Sequence, residues 1–231
     1  MICRSLFAFV LCTLVGTAAC AAQTVWTFDN LQRVGGLKVE VEGHPRLVGS
    51  PVGMAVQLDG QNDSLLIEGR PLVGASTFSI EVIFRPEGGA FEQRFMHIAA
   101  TDPATGLDAP PAGTEDRNPR FMFEIRVVGE NWYLDSFIRS KAGWKTLASA
   151  DKLHPLGHWY AVAQTYDGKA YRAYVDGVLE GEAEVSFVPH GPGRVRVGAR
   201  MNRISYFKGS IAEARFADRA LAPEQFLRIP E

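Results

Sequence analysis

Between His158 and Val185 the chain reads HWYAVAQTYDGKAYRAYVDGVLEGEAEV, three short runs rich in Trp, Tyr and Val cut by Asp167-Gly168 and Asp176-Gly177. An Asp-Gly pair tolerates the positive φ of a tight primed turn, so each pair between apolar runs predicts a hairpin. Two in succession predict an antiparallel meander with no long helix to interrupt it. The activity of such a chain has to be built on sheets.

The same spacing recurs along the sequence. Trp26–Asp29 opens with alternating aromatics, and Leu37–Glu42 sets Leu37, Val39 and Val41 against Lys38, Glu40 and Glu42. Met54–Leu58 and Leu65–Ile67 flank the turn residues Asp59–Asp63. In Phe78–Phe84 the residues Phe78, Ile80, Val82 and Phe84 share a face, and Arg85–Gly89 ends the run. Arg94–Ala100, Phe121–Val127, Trp132–Arg139, Lys141–Ala148, Arg194–Ala199 and Ser210–Phe216 continue the pattern, and Ala220–Phe226 allows one short helix. Roughly a dozen short strands at hairpin spacing predict an all-β, two-sheet antiparallel sandwich or jelly roll with a short C-terminal helix. A chain of 231 residues suits one such domain, here 23–231. Thr101–Arg120 holds Pro103, Pro110, Pro111 and Pro119, which forbid regular pairing; a loop of that length is functional or disordered.

Met1–Ala22 reads as a signal peptide: Arg4, an apolar core Leu6–Val15, then small residues GTAACAAQ suited to cleavage. The apolar run is too short to span a bilayer, so the expectation is a secreted, periplasmic or cell-surface protein. All three cysteines, Cys3, Cys12 and Cys20, fall in this segment, and the mature chain must hold together without disulfides. Thr17-Ala18-Ala19-Cys20 also resembles a bacterial lipoprotein box with Thr in place of its usual Leu, which leaves lipidation at Cys20 open. A formal net charge of −2 removes the electrostatic reason to expect nucleic acid.

Four stretches in this order, VQLDGQNDSLLI, TFSIEVIFRPEGG, GHWYAVAQTYDGKAYRAYVDGVLEG and YFKGSIAEARFADRALAPEQF, resemble the laminin-G-like members of the concanavalin A-like lectin and glucanase superfamily. The resemblance covers about Trp26 to Phe226. It implies a jelly roll with one convex and one concave sheet, ligands being met on the concave face or the loop rim. It raises the expectation of glycan recognition without naming a reaction. Many relatives hold a structural calcium and carry an Asp-Glu pair in the last strand, where this chain has Ala212-Glu213. Asp29 and Asp59 offer hard oxygen ligands, or they are ordinary Asx caps; no cofactor is required.

For ligand contact the hairpin Phe121–Arg139 is the most informative stretch. Phe121, Phe123, Ile125 and Val127 form an apolar face, so Glu124 and Arg126 point away. On the second strand Leu134, Ser136 and Ile138 alternate with Tyr133, Asp135, Phe137 and Arg139. Arg126, Asp135 and Arg139 suit sugar hydroxyls or carboxylates, and Tyr133 with Trp132 or Trp144 suits stacking on a sugar ring. His97 lies mid-strand within reach of the same face. The competing reading is a set of cross-strand ion pairs on a solvated face. Glu180, Glu182 and Glu184 fall at i, i+2 and i+4, on one strand face, where a solvated acidic edge is favoured over a glucanase-type pair. The expected function is therefore a lectin-like domain recognising polysaccharide. Two alternatives stand beside it. A glycoside hydrolase or polysaccharide lyase would use Glu124, Asp135 and His97, and a protein-binding adhesion module would expose an apolar patch.

Overall fold

The structure, a computed structural model, describes residues 23–109 and 117–230. The expected signal peptide with Cys20 and the middle of the proline-rich loop (110–116) lie outside the described residues. Among those described, seventeen strands follow one another. They are β1 (Gln23–Thr27), β2 (Arg33–Val34), β3 (Leu37–Glu42), β4 (Arg46–Ser50), β5 (Gly53–Asp59), β6 (Ser64–Ile67), β7 (Phe78–Pro86), β8 (Glu92–Ala100) and β9 (Arg120–Val128). The second half adds β10 (Asn131–Arg139), β11 (Trp144–Ala148), β12 (His154–Pro155), β13 (Tyr160–Tyr166), β14 (Ala170–Val175), β15 (Val178–Glu184), β16 (Gly193–Val197) and β17 (Lys208–Ala217).

They make two antiparallel sheets. The first runs β15-β14-β13-β7-β17-β5-β4, with β1 on β17; the second runs β11-β10-β9-β8-β16-β6-β3-β2, with β12 on β10. The meander read from the two Asp-Gly pairs is β13-β14-β15, with Asp176 at φ 48° as its turn requires. The inner faces meet in a core built from the alternating apolar positions, including Phe78, Phe84, Phe95, Phe121, Phe123, Ile125, Leu134 and Ile138. Phe84 and Phe95 stack across the two sheets at 4.4 Å, so one aromatic pair ties the layers together.

Three features depart from the sequence reading. Ala220–Phe226 is not a helix; only Pro223–Gln225 make one 3₁₀ turn. That segment instead lies as a strap over the outer face of the first sheet. The Leu221 N–H donates to Ser79 Oγ at 2.7 Å and the Leu227 N–H to Glu81 Oε1 at 2.6 Å. Its side chains finish two small apolar clusters, Leu221 and Phe226 against Tyr174, and Leu227 and Ile229 against Ile83 and Ala161. Second, β15 pairs with β14 through a register shift at Ala173/Tyr174 that leaves Glu180 as the extra residue. A bulge changes the parity of the strand, so Glu180 does not share the face of Glu182 and Glu184. It turns toward the second sheet, where Oε1 meets His154 Nε2 at 2.7 Å, while Glu182 and Glu184 pair with Arg172 and Lys169. Third, β8 carries a bulge between Arg94 and Met96 with Phe95 as the extra residue. Phe95 and Met96 both enter the core, and Arg94 and His97, three apart in sequence, both face outward.

Candidate functional site

With the strap over the first sheet, the outer face of the second is where polar side chains gather. Cross-strand register fixes their rows. Tyr133 lies opposite Arg126 and Glu92; Asp135 opposite Glu124 and Arg94; Phe137 opposite Met122, His97 and Arg196; Arg139 opposite Arg120, with Trp144 on its other side. The alternation of the β9–β10 hairpin thus brings Glu124, Arg126, Tyr133, Asp135 and Arg139 to one face, as the sequence predicts.

Much of this face is an ion-pair network. Arg126 Nη2 sits 2.6 Å from Asp135 Oδ2 and 3.1 Å from Glu124 Oε2, and Arg94 Nη2 lies 3.2 Å from the same Glu124 oxygen. Glu92 closes the network against Arg94 and, at 3.6 Å, Arg126. Glu124 and Asp135 are only 2% and 5% exposed. Burial pushes both carboxyls above the ordinary range. Arg94 and Arg126 pull both back, while Asp135 adds to the rise at Glu124. One oxygen of Asp135, Oδ1, has no hydrogen-bond partner among the described residues.

His97 shares the face but is only 1% exposed. Its Nδ1 accepts the Met201 N–H at 3.0 Å, and Ser205 receives Arg94 Nη1 at 2.8 Å, so the loop after β16 roofs this part of the sheet. Burial first, and then the surrounding Arg120, Arg200, Arg94 and Arg196, hold the His97 imidazole well below its usual pKa, hence neutral. Its role is a fixed acceptor for the loop. Arg196 pairs with Glu42 at 2.6 Å and Ser64 at 2.8 Å, and Arg194 with Asp108, so these guanidiniums are also spoken for.

The accessible part lies toward β11. Trp144 is 58% exposed, and its ring stacks on Phe137 with centroids 6.2 Å apart and planes 24° from parallel. The Arg139 guanidinium lies over both rings, 5.7 Å from Trp144 and 5.9 Å from Phe137, and Arg120 approaches Phe137 at 4.8 Å. Half-buried Tyr133 and exposed Phe91, which faces Arg126 at 6.0 Å, mark the other end of the face.

Trp132 corrects the expectation that it backs a sugar platform. It alternates with Tyr133, so it points inward, is fully buried and packs on Phe84 at 5.1 Å and Tyr160 at 5.0 Å. Arg94 was missed because nothing in RFMHIAA reports which parity survives the bulge in β8, and Arg196 because its carboxylate partner Glu42 comes from a distant strand. Asp29 accepts from Thr27 Oγ1 and Asn30 Nδ2, and Asp59 Oδ1 accepts the N–H groups of Gln61, Asn62 and Asp63 at 2.8–3.1 Å. Asp59 thus acts as the cap of its own turn, and among the described residues no three His, Cys, Asp or Glu side chains group as a metal site. A concavity of about 600 Å³ lies beside that turn, lined by His44, Arg46, Glu87 and Lys208 among others. Size alone does not favour it. It presents no Trp, Tyr or Phe ring, its carboxylates Asp59 and Asp63 are occupied by backbone N–H groups, and Glu87 is paired with Arg85.

Residues 59–226 match the laminin G family of the concanavalin A-like lectin/glucanases superfamily. The chain belongs to this family. No curated protein matches it in sequence. Among solved structures, domain 4 of AbnA, a GH43 extracellular arabinanase from Geobacillus stearothermophilus, in complex with arabinotriose, is 20% identical over 89% of this chain and 96% of that one, with a TM-score of 0.63. The receptor-binding domain of botulinum neurotoxin D is 10% identical over 87% of this chain and 50% of that one, with a TM-score of 0.57. The CBM40 of the Ruminococcus gnavus IT-sialidase, bound to α2,3 sialyllactose, is 14% identical over 80% and 95% of the two chains, with a TM-score of 0.52. At these identities the likeness is one of fold. Among the described residues no helix is long and apolar enough to cross a membrane.

Proposed function

We propose that this laminin-G-like domain is a secreted or lipid-anchored glycan-binding module whose ligand lies on the outer face of the second sheet, taken as its concave, ligand-bearing face. The observation behind this reading is the exposed Trp144 ring, braced flat on Phe137 beside the Arg139 guanidinium, on the one sheet that the C-terminal strap leaves uncovered. A flat aromatic beside hydrogen-bond donors matches a sugar ring, which offers an apolar face and a polar edge. Likeness to domains solved with arabinotriose and sialyllactose supports the same class of ligand. Tyr133, Asp135 and Arg126 extend the face along the hairpin.

Binding is favoured over hydrolysis by the state of the two carboxyls. Glu124 and Asp135 lie opposite each other, and their raised pKa values would suit a general acid, which is what favours the enzyme reading. Both, however, are buried and bridged by Arg126, which leaves no approach for a glycosidic oxygen. Affinity electrophoresis against a polysaccharide panel tests the module. Trp144→Ala is expected to weaken retardation by about tenfold or more, the loss of roughly 1.4 kcal/mol of stacking. Retardation unchanged by Trp144→Ala and Tyr133→Ala removes this site. Release of reducing ends or unsaturated sugars from the same panel would favour the enzyme instead.

A further inference from the structure

Arg139 stands apart from the other guanidiniums of the outer face. Arg94, Arg126, Arg194, Arg196 and Arg203 each reach a carboxylate. Arg139 reaches none among the described residues; its contacts are the two aromatic rings, and its buried Nε has no acceptor. It also lies directly opposite Arg120, and the two guanidiniums flank the same Phe137 ring. The Arg139 guanidinium, supported on π-faces with no counter-ion among the described residues, is a site of unspent positive charge. Its planar fork matches a carboxylate or sulfate in two parallel hydrogen bonds.

We infer that the glycan is anionic: Trp144 takes the apolar face of a sugar ring while Arg139 takes that ring's carboxylate or sulfate. The inference rests on the glycan-binding reading and narrows it to acidic polysaccharides, uronates or sulfate esters. An anion there supplies the Arg139 guanidinium with a counter-charge, which a neutral sugar cannot do. Arg94, Arg126, Arg194, Arg196 and Arg203 already hold carboxylates, so discrimination is concentrated at Arg139.

The test compares polygalacturonate with its carboxyl-reduced neutral form, and chondroitin sulfate with its desulfated form, by affinity electrophoresis and calorimetry on the mature chain. The expected result is about 10- to 100-fold preference for at least one charged form, lost in Arg139→Gln and partly kept in Arg139→Lys, which retains charge without the fork. Which pair shows the preference separates carboxylate from sulfate as the recognised group. Equal binding of charged and neutral forms, abolished by Trp144→Ala, overturns the inference and leaves the glycan-binding reading standing. A preference that survives in Arg139→Gln also overturns it. Failure of every glycan to bind overturns both. Unchanged thermal melting of the Arg139 variants shows that any loss is not one of folding.

Discussion

Arg126→Met probes the ion network beneath the proposed site. The guanidinium touches Asp135 at 2.6 Å, Glu124 at 3.1 Å and Glu92 at 3.6 Å, with its side chain 13% exposed. Met has nearly the same reach, so the change removes charge and leaves volume almost intact. Three carboxylates then face only Arg94. A unit pair 4 Å apart is worth about 4 kcal/mol at an effective dielectric of 20, and desolvation offsets part of that. Stripping one member from a buried pair typically costs about 3–5 kcal/mol, the range expected here at pH 7. The cost must fall with pH. Glu124 and Asp135 already have folded pKa values raised above their unfolded ones. Their contribution to stability is therefore full below the unfolded carboxylate range and is lost as pH rises through the folded values. Without Arg126 the folded values rise further, so the loss grows between about pH 4 and pH 7. Urea unfolding followed by tryptophan fluorescence reads this out. At a slope of about 1–3 kcal/mol per molar, the midpoint at pH 7 should drop by at least about 1 M, and at pH 4 by far less. A loss below about 1 kcal/mol at pH 7, or one identical at both pH values, refutes the reasoning.

Arg70 is 8% exposed, bonded to His190 Nδ1 at 3.1 Å and set over Phe121 at 5.4 Å, with no carboxylate partner among the described residues; burial lowers its pKa to about 9. Arg70→Met is expected to be neutral or to raise the urea midpoint at pH 7, and a loss above about 2 kcal/mol would contradict this. Phe226→Ala takes the strap's anchor off Tyr174, where the rings meet at 5.0 Å, and should cost about 3 kcal/mol by the same assay; a change under about 1 kcal/mol would mean that the strap is not held there. Gly209, at φ 153°, would place a Cβ 2.2 Å from the Arg85 carbonyl, so Gly209→Ala should destabilise by more than about 1 kcal/mol, and a wild-type melting temperature would contradict that close approach.

Strands and their faces were legible in the sequence wherever alternation ran unbroken. Leu37–Glu42 is β3 residue for residue, and the faces assigned along Phe121–Arg139 hold in β9 and β10, including inward Ser136. Legibility failed where parity changed. The bulges at Phe95 and Glu180 are set by how each strand meets its neighbour, and no local residue reports them. The strap was unreadable for a related reason: Ser79 and Glu81 look like ordinary outward polar residues until backbone N–H groups about 140 residues later are seen to use them. At the site, Trp144 and Arg139 were named from their types. The difference between a free guanidinium and five paired ones came only from which carboxylates the fold delivered to each.

A crystal structure of residues 23–231 with their tightest-binding oligosaccharide tests the central claim most directly. The expected result is a sugar ring lying on Trp144 with an acidic group bonded to Arg139 on the outer face of the second sheet. A sugar seated in the cleft between His44 and Lys208, or against the C-terminal strap, with the Trp144 face bare, would contradict it.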